Sequence, residues 1–440
     1  MLSKQFITIS GIILIFLILN VSLFGLGSFY GDVMAQQKWG NEALEEGVSY
    51  LYSQHITDYP PLYIYVLKFN AWLNLKLSGN TERFTLHYNF ISKTIPTFCN
   101  LIIGLIIFFY LRKRNYKLAL FAGCFYLFNP AIIYNTAYWG QVDSVNTLFM
   151  FLSIIFLIHK KYIPSTIFIV LAVLTKFQSI VLVPVIGMVI LMNFNIKKII
   201  KIFLTNTIVI SIILLPYILG GVFWKVIDTI FGSVDRHPFV TANAYNIWYL
   251  ISPRIPTNWM EGLNDSFQVL GFSLKFIGLA LLGIYTILVL YQLFKKCDKD
   301  NIILAAASMA FAFFMLPTQI HDRYLFPFFA LFILIVFNNK KYLLIYIFSS
   351  ITYLFNLMMV LPIIYKNNLI LYLIQEFLVI LVHKFTFISV AIAIALANII
   401  IFTYFSKVGI FNNLFENLKT DFFNIKSYIF KKNENKEFKT

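Results

Sequence analysis

Apolar runs broken by short polar clusters alternate along most of the chain. The first, after Lys4, holds about 20 apolar residues, enough for a helix across a hydrocarbon core of roughly 30 Å. No small-residue cleavage site ends it near Gly27, so it reads as an uncleaved first span. Further runs at 90–111, 118–137, 143–158, 162–175, 178–193, 199–219, 267–293, 302–318, 324–338, 341–361 and 386–405 bring the expectation to about twelve crossings. The pair 162–175 and 178–193 is short, and reads as a hairpin whose tip, Lys176-Phe177-Gln178, sits below the outer surface. Two apolar stretches, 61–77 and 368–382, are assigned to the interface. In the first, Lys68, Asn70, Asn74 and Lys76 interrupt the run as in an amphipathic surface helix.

Charge fixes the direction of the crossings. The clusters at 112–117, 159–161, 197–201, 295–296 and 340–341, and the tail from Lys407, are basic and belong in the cytoplasm. The segment 30–58 carries Asp32, Glu42, Glu45, Glu46 and Asp58 against Lys38 alone, and belongs outside. Parity then gives a first external loop at 28–89 with interfacial helices, a second at 220–265, and both termini inside. The chain is expected to be one membrane domain, 1–405, followed by a basic amphipathic tail, 406–440. Composition agrees: 60% of residues are hydrophobic and 12% charged, half of the roughly 25% usual in soluble domains. A soluble fold is excluded. The net charge of +16 sits in short clusters between apolar runs, which argues against a nucleic-acid partner. Cys99, Cys124 and Cys297 are scattered, with neither disulfide nor zinc spacing.

The polar groups at the outer ends of the spans form a one-sided set. Ionisable groups at such depth are either functional or paired. Asp32 either caps the helix that follows it or stands in a cleft and takes a proton from a hydroxyl. Gln36 and Trp39 fall on nearly its helix face, and a glutamine amide beside an indole is sugar-binding chemistry. Asp58 and Tyr59 precede Pro60-Pro61, where Asp58 is either a turn and N-cap residue or part of the site. Trp139 is an interface anchor or, with Gln141 and Asp143, a binding element. Lys176 either snorkels or meets a lipid phosphate. In His321-Asp322-Arg323-Tyr324, Arg323 offers a phosphate-binding fork, or simply pairs with Asp322.

These motifs resemble a family. Tyr-Gly-Asp-x-x-Ala-Gln-x-x-Trp at 30–39 and Asp-Tyr-Pro-Pro-Leu at 58–62 are similar to the lipid-phosphate-glucose-dependent glucosyltransferases of N-glycan assembly. Trp-Gly-Gln-x-Asp-Ser at 139–144, Lys-x-Gln at 176–178, Asn-x-Trp at 246–248 and His-Asp-Arg-Tyr at 321–324 look more like bacterial homologues of the GPI-anchor mannosyltransferases. Both are GT-C glycosyltransferases. Two positions depart from their pattern: His321-Asp322 where His-Glu is usual, and Cys99-Asn100 where a small residue and an Asp are expected.

The resemblance implies an all-α, GT-C-type multi-span bundle in the plasma membrane, its active site facing outside. It implies transfer of a hexose, mannose or glucose, from a polyprenyl-phosphate donor to a hydroxyl of a glycan, lipid or protein acceptor, with inversion. Asp32 would be the base. Lys176 with His321 or Arg323 would hold the donor phosphate, and Asn246 and Trp248 would join the substrate-binding set. No divalent metal would be required, although Asp32 and Asp58 together leave one open. Two other functions fit an intramembrane charge set: a lipid-linked oligosaccharide flippase, and an O-antigen-type ligase or polymerase. No internal repeat is visible to favour a flippase. A ligase, taking a diphosphate donor, should show more cations.

Overall fold

A computed structural model describes residues 2–26, 28, 30–232, 237–254, 262–364 and 384–411. The expected interfacial stretch 368–382 and almost all of the tail lie outside these residues. The chain is an α-helical, multi-pass membrane protein. Among the described residues, six helices are long and apolar enough to cross a membrane, and a bent pair at 116–139 makes a seventh if taken as one span.

The first span is α1 (Leu2–Phe24). It leads into α2 (Tyr30–Glu45), α3 (Val48–Ser53) and α4 (Pro61–Ser78), then returns through α5 (Leu86–Leu111). Helix α6 (Tyr116–Leu127) turns 42° into α7 (Pro130–Ile133) and a π-helical turn, Tyr134–Trp139. The pair α8 (Asp143–Ile158) and α9 (Tyr162–Thr175) precedes a 3-10 turn, Phe177–Leu182, and α10 (Val183–Met192). Next come α11 (Ile196–Leu219) and α12 (Phe223–Gly232). A two-stranded antiparallel hairpin, β1 (Gln268–Val269) and β2 (Phe272–Ser273), opens onto α13 (Leu274–Lys295). The remainder is α14 (Lys299–Met315), α15 (Phe326–Val336), α16 (Lys340–Ile364) and α17 (Lys384–Ser406).

Apolarity all round a helix has two outcomes, and both occur. Every residue of α15 is buried, with Phe328 packed on Phe311, Phe332 and Phe405. Helix α11 instead turns Phe203, Ile208, Ile212 and Leu215 outward, as a lipid-facing span should. Short buried helices thus form the centre, and long ones wrap them.

Two elements differ from the sequence reading. The expected span 267–293 begins seven residues later, because Leu270 and Gly271 take positive φ (52° and 82°) and close the β1–β2 turn. The apolar residues Phe267, Val269 and Phe272 belong to this exposed hairpin rather than to a helix. In α4 the asparagines do not share a face with the lysines: Asn70 and Asn74 are buried with Tyr63, Ile64, Leu67 and Ala71, while Lys76 is exposed along with Phe69, Trp72 and Leu77.

Candidate functional site

Most of the one-sided polar set meets around a cavity of about 570 Å³. Two helix lengths explain part of this. Helix α8 has 16 residues and α9 has 14, so at 1.5 Å per residue the chain descends about 24 Å and climbs about 21 Å, returning Lys176 to the level of Asp143. There Lys176 leaves the helix in an extended conformation and its ammonium meets the Asp143 carboxylate in a buried ion pair. The same ammonium lies 4.7 Å from the Tyr324 ring centre. Burial pulls the Lys176 amine down from its ordinary value, and Asp143 opposes that pull.

Asp32 stands in the first turn of α2, where the helix dipole favours an anion. It does not merely end a helix: Gln141 donates to it from the next wall, and Arg323 lies 3.8 Å away. Gly140 makes this approach fit. Its φ of 88° is left-handed, and an added Cβ would press Lys93 and Val33 at 3.2 Å. Gln37 locks α2 in place, donating to Asn89 and accepting from the Phe84 amide.

The 58–60 segment is held by Tyr52, whose hydroxyl donates to the Tyr59 carbonyl. Pro60 is the N-cap of α4, and Asp58 lines the cavity with Tyr59 and Pro60. Trp39 and Tyr59 sit with ring centres 5.6 Å apart on the same wall.

The lining is also rich in basic groups. It brings together Lys176, Lys275 at the start of α13, and the 317–324 segment with His321 and Arg323; His237 packs edge-on against His321, ring centres 5.3 Å apart. Burial, reinforced by the nearby cations, drives the His321 imidazole well below its ordinary value, so it is a neutral hydrogen-bonding group. Apolar Ile180 and Leu279 also line the cavity and are exposed, so part of its lining is open apolar surface.

Of the residues singled out from sequence, Asp32, Gln36, Trp39, Asp58, Tyr59, Trp139, Lys176, His321 and Arg323 line the cavity. Gln141 and Asp143 stand behind it, each bonded to a group that does. Asn246 and Trp248 are not on its wall. Asn246 caps a short 3-10 turn and donates to the Phe314 carbonyl at 3.0 Å, and the Trp248 indole donates to Leu316 at 2.7 Å. They lash the 246–248 turn to the end of α14, which sets where the 317–324 segment starts. Their bonds to backbone carbonyls leave them a positioning part in the site.

Three groups outside the expected site set also matter, and one of them, Asp322, takes the pairing with Arg323 that the sequence left open. Asp322 is buried, 3.5 Å from the Arg323 guanidinium. Gln178 lines the cavity. Lys93, fully buried inside α5, donates to the carbonyls of Phe24 (2.9 Å) and Tyr138 (3.1 Å), joining the ends of α1 and the π-helical turn. A lysine within an apolar span was the available signal for it.

Burial pushes the Asp322 carboxyl up to about 7, against the pull of Arg323. An acid whose folded value exceeds its unfolded one lowers stability as pH rises from the unfolded value to the folded one. Between about pH 5 and 8 in detergent Asp322 should therefore pull Tm down as pH rises, against His321, whose depressed value pulls it up, and Asp322→Asn should move the Tm–pH slope in the positive direction. Parallel Tm curves for the two proteins would show that Asp322 is not the linked group.

No group of three or more His, Cys, Asp or Glu side chains able to hold a metal occurs among the described residues. The chain matches no protein-family model and no curated protein.

Proposed function

We propose that the protein is an inverting hexosyltransferase of the GT-C type, working from a polyprenyl-phosphate sugar. The observation that carries this reading is the mixed lining of one cavity. The carboxylates and aromatics of α2 and the 58–60 segment line it together with Lys176, Lys275 and Arg323, and apolar Ile180 and Leu279 line it too. A lipid phosphate needs cations beside an apolar approach, and a sugar hydroxyl to be activated needs a carboxylate. About 570 Å³ lies within the roughly 300–1,000 Å³ of small-ligand sites, which suits one hexose with its phosphate and the end of an acceptor. An oligosaccharide diphosphate, as a ligase would take, asks for more room and more charge.

In this reading Asp32 accepts the proton of the acceptor hydroxyl as its oxygen attacks the anomeric carbon. The new glycosidic bond forms on the face opposite the breaking C–O bond, and the electron pair leaves with the lipid phosphate. Phosphate is already a good leaving group, so positioning and charge stabilisation do most of the work. Arg323 lies between Asp32 and Asp322 and can follow the phosphate charge as it grows. The sequence topology of about twelve spans, with both termini cytoplasmic and the cavity facing outward at the plasma membrane, completes the proposal.

The test is direct. Purified protein in lipid should move radiolabelled mannose or glucose from the prenyl monophosphate to an acceptor. Movement of intact lipid-linked oligosaccharide between leaflets without transfer would support a flippase instead.

A further inference from the structure

Gln178 is 93% buried, yet neither the amide nitrogen nor the amide oxygen of its side chain meets a hydrogen-bond partner, and it lines the cavity. Buried side-chain polar atoms are nearly always satisfied, so an amide unbonded at both ends in the lining of a cavity asks for a ligand. Its backbone is held by the 3-10 turn Phe177–Leu182, where the Ser179 hydroxyl shares its hydrogen between the Lys176 carbonyl and the Asn146 side chain.

The chemistry of the ligand follows from the two ends. A phosphate oxygen satisfies the amide N–H groups but repels the amide oxygen. A lipid tail satisfies neither. Two neighbouring hydroxyls satisfy both, one accepting from nitrogen and the other donating to oxygen. Lys176, two residues earlier, is where the phosphate is proposed to sit, so a group reached from Gln178 belongs next to that phosphate. That group is the sugar.

We propose that Gln178 reads the transferred hexose by bridging two vicinal hydroxyls of its ring, and so sets sugar specificity. This rests on the donor reading given above, and the experiment separates the two. Short-chain prenyl phosphate, bare and carrying mannose or glucose, is titrated against wild type and Gln178→Leu. Wild type should bind a sugar-bearing probe more tightly than the bare phosphate. Gln178→Leu should keep the affinity for bare phosphate and lose about tenfold or more for the sugar-bearing probe, the equivalent of about 1.4 kcal/mol. Without ligand, the variant should be at least as thermally stable as wild type, because the amide it removes makes no bond in the protein. Gln178→Met, closer in length, repeats the comparison.

If both variants retain the wild-type preference for sugar, Gln178 does not read it and the donor reading stands. A marked fall in Tm of both ligand-free variants would make the amide structural and overturn the proposal. Failure of wild type to bind either probe would overturn the donor reading and this inference together.

Discussion

Asp32→Asn should lower hexose transfer by about a hundredfold or more, with donor binding and fold retained. The substitution keeps the shape of the side chain and its bond from Gln141, and it leaves Asp322 beside Arg323. What it removes is the proton acceptor. It also removes the charge partner 3.8 Å from Arg323, but Asp32 is partly open to solvent, where such a pair contributes about 1 kcal/mol or less. The effect should therefore appear in turnover, at saturating donor, rather than in Tm. Near-normal turnover in a well-folded variant would remove Asp32 from the chemistry and turn attention to Asp58 on the same wall.

The second large effect concerns Lys176, and it separates folding from function. Lys176→Met should weaken binding of a prenyl phosphate, but it also strands Asp143, which is wholly buried and would keep Asn135 at 3.3 Å as a polar neighbour. Breaking such a pair costs about 3–5 kcal/mol, whereas replacing both partners with apolar residues is often neutral or stabilising. The single variant should thus lose both Tm and donor affinity. Lys176→Met combined with Asp143→Leu should recover Tm and still bind the phosphate poorly. Wild-type phosphate affinity in the double variant would place the anion elsewhere in the cavity, at Lys275 or Arg323.

How far the sequence leads depends on the range of the interaction. Apolar runs are local, and the helices follow them wherever lipid or core is the surround. The 267–273 stretch misled because Phe267, Val269, Leu270 and Phe272 are as apolar as a span, while the turn that reverses them depends on two backbone angles. Pairing is not local. Asp143 and Lys176 are 33 residues apart, and the match between them follows from two helix lengths. Asn246 and Trp248 have the side chains of a sugar site, but their carbonyl partners lie 68 residues on. Nothing at 246–248 shows that these side chains are already used. The same holds in reverse for Gln178, where an unused amide is visible only once its surroundings are known.

Lys93 bears on how the protein is made. Its ammonium ends on carbonyls from two elements, one before α5 and one after it. During synthesis the Phe24 carbonyl at the end of α1 already exists when α5 reaches the bilayer, and the Tyr138 carbonyl does not. A lysine at the centre of a span costs about 2.5–3.5 kcal/mol on insertion, less toward the ends, where Lys93 lies. The Phe24 carbonyl of α1 is thus the first partner open to Lys93, and the π-helical turn completes the joint. Gln141, which donates to Asp32, follows that turn, so the joint stands next to the lining of the cavity.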